Sequence, residues 1–255
     1  VGMGDELMGA GMARGAQRAG HRVAFGHSGK ITWSKEAHEI FIGNPNVAPP
    51  GEERALDLKW VPHYSGHRLY NRFDGKNSRW IWNYDFHAKP GELFFRPNEK
   101  EAAKDQDFIL IEPNLPMWKS VSINKKWDRY QEVAYALLYR GFDVAQFEYP
   151  GITTKLNGVR LIPSPTIRRG LARMAKAKLY IGPEGGLHHA AAALNIPAIV
   201  LFGGFVPPSV TGYDNHINLT GGAEACGSIT RCDHCEQAMR RITPDEIVSH
   251  ACELL

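Results

Sequence analysis

The segment Gly182-Pro183-Glu184-Gly185-Gly186-Leu187-His188-His189-Ala190 carries the residue types and spacing best suited to ligand chemistry. An apolar run leads into it and a small-residue helix leads out. Glycines at a strand-to-helix turn let the backbone approach a ligand and expose free N–H groups. The helix N-terminus adds partial positive charge, which suits a diphosphate. Such a turn falls at the carboxyl end of a strand, where open α/β sheets bind ligands. The plain alternative is a tight turn that binds nothing. Glu184 reads either as an acceptor for sugar or ribose hydroxyls or as a helix cap. His188 and His189 are adjacent, hence about 100° apart on a helix, so at most one faces a ligand.

Two further groups of residues have chemical potential. Cys226-x5-Cys232-x2-Cys235 contains a Cys-x-x-Cys step able to hold Zn²⁺ or do thiol chemistry. A tetrahedral site would need Cys252, His234 or His250 to complete it, and a second Cys-x-x-Cys pair is missing. Partly buried, unpaired thiols without metal are therefore expected. The stretch Tyr64–Tyr84 mixes Arg68, Arg72, Lys76 and Arg79 with Tyr70, Phe73, Trp80, Trp82 and Tyr84. Aromatic faces and arginines suit a sugar or phosphate acceptor, or single-stranded nucleic acid. A surface segment packed onto the first domain is the favoured reading. Thr211-Gly212-Tyr213 could line a phosphate or sugar pocket, but an ordinary surface loop is the favoured reading.

The elements that must position these residues read as two α/β runs. Val1–Met8 is a turn entering a helix over Ala10–Arg18, followed by a strand at Arg22–Phe25. This is a β-turn-α-β rhythm without its first strand, which suggests that a strand lies upstream of Val1. Strand candidates follow at Ile40–Ile42 and Leu56–Trp60, and Tyr64–Phe86 has no clean period. Glu99–Gln106 suits a linker or surface helix. The second run has strands at Asp107–Glu112, Asp143–Phe147, Val159–Ile162, Leu179–Ile181 and Ala198–Phe202. Its helices are Trp127–Tyr139, Ile167–Lys176, His188–Leu194 and Pro244–Leu255, the last with Thr243 as N-cap and Pro244 at its first position. The expected organisation is an N-terminal Rossmann-like domain over residues 1–105 and a C-terminal one over 106–255.

The totals exclude several classes. With 255 residues, 43% of them apolar and 22% charged, the chain can bury a real core. A net charge of +3, from 30 basic and 27 acidic residues, is too balanced to make nucleic acid or an acidic membrane the main partner. No apolar run approaches the ~20 residues of a membrane span. Four cysteines do not make a disulfide scaffold, so a reducing cytoplasm is the default.

At Gly182, Glu184, Gly186, Leu187, His189, Ala191–Leu194, Pro197 and Phe202-Gly203 the chain resembles the donor-site signature of glycosyltransferase family nine, the heptosyltransferase-like enzymes. The family usually has Asp at the position of Glu184, and often Ser or Thr at that of Gly185; the longer acid keeps the charge and changes the reach. Gly4-Asp5-Glu6-Leu7-Met8 resembles the family's Gly-Asp motif, whose Asp is the proposed base on the acceptor hydroxyl. Lys125-Lys126-Trp127 resembles its Lys-x-Trp, which would make Lys125 the phosphate-binding lysine. Cys235 to Val248 resembles the tail leading into its last helix. The chain is shorter than is usual for the family, which implies a reduced or truncated N-terminal domain.

The resemblance implies a GT-B fold, with two Rossmann-like domains facing a cleft. It implies an inverting, metal-independent glycosyltransferase with a nucleotide-diphosphate sugar as co-substrate and no other cofactor. Asp5 would take the proton of a glycan or other hydroxyl acceptor; its alternative role is a helix cap. Lys125 and the N–H groups of Gly185, Gly186 and Leu187 would meet the leaving-group charge. Lys125 is otherwise a solvated cation at a helix start, and Lys126 is hard to separate from it. Competing readings are a sugar-nucleotide epimerase or hydrolase on the same scaffold, and a non-catalytic nucleotide-sugar-binding module. A nucleic-acid acceptor is a minor alternative. Base and ribose contacts are expected near Phe147–Pro150 and Ser164–Ile167, where Glu148 is the only carboxylate.

Overall fold

The computed structural model describes residues 2–62, 68–101, 107–116 and 119–255; Val1, Tyr64 and residues 102–106 of the expected Glu99–Gln106 linker lie outside them. The N-terminal elements are α1 (Met3–Gln17), β1 (Arg22–His27), β2 (Lys30–Ile31), α2 (Lys35–Phe41) and β3 (Leu58–Val61). β1 is the central strand of a three-stranded sheet, antiparallel to β2 and parallel to β3. A separate hairpin follows, β4 (Asn71–Asp74) against β5 (Arg79–Trp82). A short helix, α3 (Pro97–Glu101), then precedes the larger sheet.

That sheet is formed by β6 (Phe108–Ile111), β7 (Val144–Glu148), β8 (Arg160–Pro163), β9 (Ala177–Pro183), β10 (Ala198–Leu201) and β11 (His216–Leu219). All pairs are parallel, in the order β11-β10-β9-β6-β7-β8. This is the doubly wound order, and the strand direction of travel reverses between β6 and β9. Its helices are a 3-10 helix (Ser120–Lys125), α4 (Tyr130–Tyr139), α5 (Ile167–Met174), α6 (Gly186–Ala193), α7 (Pro208–Thr211), α8 (Asp233–Arg241) and α9 (Pro244–Leu254).

Parallel strands bury both faces, so their sequences read as continuous apolar runs split by the two-residue period. In β6, Ile109 and Ile111 face α4 and α9, packing with Val133, Leu137, Ile247 and Ala251. Phe108 and Leu110 face the other way, into a core shared with Leu171, Ala190 and the N-terminal residues Leu7, Phe25 and Phe41. α1 packs directly on α6, so this second core runs without a break from the first elements to the large sheet. Arg168 at the start of α5 adds a polar tie. Its guanidinium bonds the Glu99 carboxylate and the Glu39 and Phe94 carbonyls, and its amide donates to Glu39 Oε2 at 2.8 Å.

Several sequence expectations change. Ile40–Ile42 is not a strand: Ser34 caps α2 by accepting from Ala37 N at 2.9 Å. Ala37, Ile40 and Phe41 then recur at helical spacing and are buried. The apparently aperiodic stretch contains the β4–β5 hairpin, whose Gly75–Ser78 turn is tied by Asn77 to Asp74. α4 begins at Tyr130, and Trp127 is instead buried beside it, donating to the Ile242 carbonyl at 3.2 Å. β11 and α8 have no counterpart in the sequence reading. No helix among the described residues is long and apolar enough to cross a membrane.

Candidate functional site

A cleft of about 760 Å³ opens at the carboxyl ends of β6 and β9, roofed by the N-terminus of α1 and the β4–β5 hairpin. That is the crevice where a doubly wound sheet takes its ligands. Two helix N-termini, those of α1 and α6, meet at its edge. A Cβ on Gly4 of α1 would stand 2.9 Å from His189 Cδ2, and one on Gly186 of α6 would stand 3.2 Å from Met3 Cβ and 3.4 Å from the Gly4 nitrogen. Only glycines at both positions allow this approach. It concentrates two partial positive charges and two sets of first-turn amides beside one space.

The α6 turn is built as follows. Gly185 is the N-cap, and its amide donates to His188 Nδ1 at 3.0 Å. His188 Nε2 faces the Thr211 carbonyl at 2.8 Å, which assigns the proton to Nε2 and leaves the ring neutral. The Gly185 amide is therefore already used, and Gly186 and Leu187 hold the first-turn amides at the cleft. A Cβ at Gly185 would meet no atom within 4 Å, so this residue borders open cleft. Gly182 lies behind it: a Cβ there would be 2.2 Å from the Tyr180 hydroxyl and 3.0 Å from the Glu112 carbonyl oxygen. Its need for glycine is a packing need.

Both histidines are buried, with ring centroids 3.9 Å apart, and His189 is the one that lines the cleft. His189 Nδ1 lies 2.7 Å from the Tyr213 hydroxyl. Burial pushes both imidazoles below their usual range, and pushes the neighbouring His216 down to about 3. Thr211 and Tyr213 are thus buried supports of the α6 turn, which corrects the expected surface loop.

Glu184 does not cap α6. Its carboxylate is buried and bonded to Lys125 Nζ, an ion pair with side-chain exposures of 7% and 15%. Burial works to raise the Glu184 pKa, but the Lys125 charge prevails and holds it below the ordinary carboxylate value. Lys125 ends the 3-10 helix instead of starting an α-helix, and its ammonium sits 5.1 Å from the Phe205 ring centroid. Lys126 turns to solvent and pairs with Asp128 at 2.7 Å, so the two lysines separate cleanly. Glu184, His188 and His189 lie close enough to suggest a metal set. However, Lys125 already stands as the cation on Glu184, and both His188 nitrogens have partners.

Asp5 sits across the cleft at the third position of α1, 8% exposed. Its Oδ2 accepts from the Gly2 amide at 2.9 Å, which is the capping role. Its Oδ1 accepts from the Tyr70 hydroxyl at 2.5 Å and lies 3.2 Å from Arg68 Nε. One oxygen therefore fixes the residue while the other meets the cleft. Burial, reinforced by Asp5, keeps the Tyr70 phenol well above its usual pKa and hence protonated.

Sequence reasoning missed two cleft residues, Lys119 and Glu112, and ranked two others below their place. Arg68 and Tyr70 lie in the stretch for which a surface segment was favoured over an acceptor platform, and both line the cleft. Lys119 is half-buried in the cleft, its pKa lowered by burial, and lies within reach of Gly2. Glu112 follows the last residue of β6, where an acid after an apolar strand was the available signal. Its Oε1 accepts from Asn114 N at 3.0 Å and Asn114 Nδ2 at 2.6 Å, and its buried Oε2 has no partner. Burial raises its pKa to about 7. Glu148, by contrast, is exposed and sits 3.5 Å from Lys155.

The family model described as "Glycosyltransferase family 9 (heptosyltransferase)" matches residues 81–239. No curated protein matches the sequence. Among solved structures, a family 9 glycosyl transferase from Veillonella parvula is similar over 100% of this chain and 94% of its own, at 13% identity and a TM-score of 0.61. The iron-containing dodecameric glycosyltransferase TibC of enterotoxigenic E. coli is similar over 99% of this chain and 73% of its own, at 15% identity and a TM-score of 0.61. An E. coli ADP-heptose heptosyltransferase II aligns over 68% of this chain, at 19% identity and a TM-score of 0.47, and this alignment spans 54% of that protein's length. The two likenesses at a TM-score of 0.61 agree in fold, and the α/β architecture is of the GT-B type.

Proposed function

The chain belongs to glycosyltransferase family 9, and on that footing we propose that it moves a sugar from a nucleotide-diphosphate sugar to an acceptor hydroxyl. The observation that carries this reading is the cleft itself. Two helix N-termini and the cations Lys119, Lys125 and Arg68 converge on one space, and a buried carboxylate, Asp5, stands opposite the donor turn. We assign residues 106–255 to the donor side and 1–105 to the acceptor side.

In this reaction the acceptor oxygen attacks the anomeric carbon from the face opposite the diphosphate, so the configuration inverts. The anomeric C–O bond breaks and its electron pair leaves with the nucleoside diphosphate. The acceptor proton passes to Asp5 Oδ1, which exchanges its bond from Tyr70 for one from the acceptor. Leaving-group charge is met by the Gly186 and Leu187 amides, the α6 dipole and Lys125. Lys125 supplies the positive charge that a metal ion would otherwise bring, which supports metal-independent transfer. Glu184 holds Lys125 in place, and its buried position beside His189 suits a contact with donor hydroxyls. The unpartnered Glu112 Oε2 is a second acceptor for the nucleoside. Free thiols suit a reducing cytoplasm as the place of action.

The test is a thermal-shift titration with ADP-, UDP-, GDP-, CMP- and dTDP-linked sugars, including ADP-heptose, without Mg²⁺. One nucleotide class should raise the melting point with concentration, and Gly185→Ala should weaken that shift. Wild type should then release nucleoside diphosphate only when an acceptor is present, whereas an epimerase needs none and a hydrolase uses water. Asp5→Asn should keep the shift and lose turnover. If no donor shifts the protein, the transferase reading fails.

A further inference from the structure

We propose that Cys226, Cys232, His234 and Cys235 bind one tetrahedral, thiophilic metal ion, zinc or iron, that fastens the loop behind the donor site. The sequence alone argued against metal, because a second Cys-x-x-Cys pair is missing and Cys252, His234 and His250 were equal candidates for the fourth ligand. The fold supplies it. One donor atom from each of the four residues lies within 4.8 Å of all the others. Cys226 Sγ is 3.3 Å from Cys235 Sγ and 3.9 Å from Cys232 Sγ. Sulfurs about 2.3 Å from a tetrahedral ion stand about 3.8 Å apart, whereas a disulfide needs about 2.05 Å. The three thiols thus surround a point instead of forming a pair. Cys252, the remaining cysteine, is exposed and outside the group.

The surroundings suit charged sulfur. Cys232 is the N-cap of α8, and His234 and Cys235 lie in its first turn, where the helix end favours thiolate. The Ser228 amide donates to Cys226 Sγ at 3.5 Å, the kind of contact that orients a ligand from outside the coordination shell. His234 packs against Gly204, where a Cβ would come within 2.8 Å of its Nδ1. A three-thiolate, one-imidazole set is a closed structural site, with no position left for substrate.

The position tells what the ion would hold. The Cys226 amide donates to the Gly204 carbonyl at 2.9 Å and the Gly227 amide to the Phe205 carbonyl at 3.0 Å. The Cys232 amide donates to Asn124 Oδ1 at 3.0 Å, and Asn124 Nδ2 bonds the Ser228 and Thr230 carbonyls, each at 2.7 Å. The Phe205 ring lies 5.1 Å from the Lys125 ammonium, and Asn124 directly precedes Lys125 in the chain. The Gly227 carbonyl also accepts from Trp80 N at 2.8 Å, and Ser228 bridges Arg79, so the same loop carries the hairpin roof. One ion would tie α8, the β10 exit loop, the 3-10 helix and the hairpin together.

Elemental analysis of the purified full chain, before and after Zn²⁺ reconstitution under reducing conditions, tests this without reference to donor binding. The expected result is about one equivalent of zinc or iron per chain, with a single thiol, Cys252, reactive in the native protein and all four reactive after chelation. Cobalt substitution should give the visible ligand-field bands of a tetrahedral thiolate site. His234→Ala, an exposed change that should fold, is expected to speed metal loss to a chelator at least ~10-fold, and Cys252→Ser should not. A metal content below about a tenth of an equivalent after reconstitution, with three free thiols or a disulfide among Cys226, Cys232 and Cys235, would overturn the proposal.

Discussion

Replacing Lys125 by Met would leave Glu184 buried, with 7% side-chain exposure and no cation beside it. Breaking a buried pair from one side typically costs about 3–5 kcal/mol, because the remaining charge is stranded. In the wild type, Lys125 holds the Glu184 pKa below its ordinary value, so the pair's contribution is present above the unfolded pKa of 4.5 and is lost as pH falls through the folded one. In Lys125→Met the carboxylate pKa moves above 4.5 instead, and the cost of the substitution should shrink toward pH 5. Glu184→Gln should cost less, about 1–2 kcal/mol, since Lys125 is 15% exposed and can turn toward the cleft. The double variant removes both charges. The two single effects should therefore fail to add, with a coupling of about 2 kcal/mol. Urea unfolding of the four proteins at pH 8, repeated at pH 5, reads all these quantities, provided the slopes agree. Effects that add to within about 0.5 kcal/mol would show that the pair is solvated and uncoupled, and the assignment of Lys125 as a charge held in place by Glu184 would fall.

Other perturbations probe the rest of the cleft. Glu112 has its pKa raised from 4.5 to about 7 by burial. The fold should thus lose stability as pH rises from about 4.5 to 7, by about 3 kcal/mol in all. Glu112→Gln should remove that loss, and identical pH slopes of the urea midpoints in both proteins would refute the assignment. Gly4→Ala would drive a Cβ to 2.9 Å from a ring held by Tyr213 and should cost about 1–3 kcal/mol. Gly185→Ala meets nothing within 4 Å, so calorimetric stability should change by less than about 1 kcal/mol while donor affinity falls. An equal stability loss at both glycines would contradict the packing described. Asp5→Asn retains an acceptor for the Gly2 amide yet removes the base, so turnover should fall by about 10²–10⁴ with donor affinity kept. Near-normal turnover in that variant would remove Asp5 from the mechanism.

The glycine-rich turn at the cleft was legible because it is local: a strand, the turn and a helix start lie within one short segment, Leu179–Ala190. Asp5 and Lys125 became legible through motif resemblance, and the structure places both on the same cleft as Glu184. Lys119 and Glu112 were missed, and Arg68 and Tyr70 ranked as surface, because these residues come from three separate segments that only packing brings together. The β4–β5 hairpin escaped notice because its apolar residues serve two surfaces: Trp80 and Trp82 face the cleft, whereas Phe73 is exposed. β11 has only two apolar residues in His216–Leu219, and α8 buries just Cys235, Ala238 and Met239 on an otherwise charged surface. The cysteine group was visible in the sequence, and the start of α8 selects His234 over Cys252 and His250 as its fourth member.

Isothermal titration of the wild-type chain and of the Lys125→Met/Glu184→Gln double variant with the nucleoside diphosphate selected by the thermal-shift panel, without Mg²⁺ and without chelator, tests the central claim most directly. The account predicts one site per chain in wild type and an affinity at least ~10-fold lower in the folded double variant. Equal affinity in the two proteins, or no binding to wild type, would contradict a donor diphosphate held at the α6 turn by Lys125.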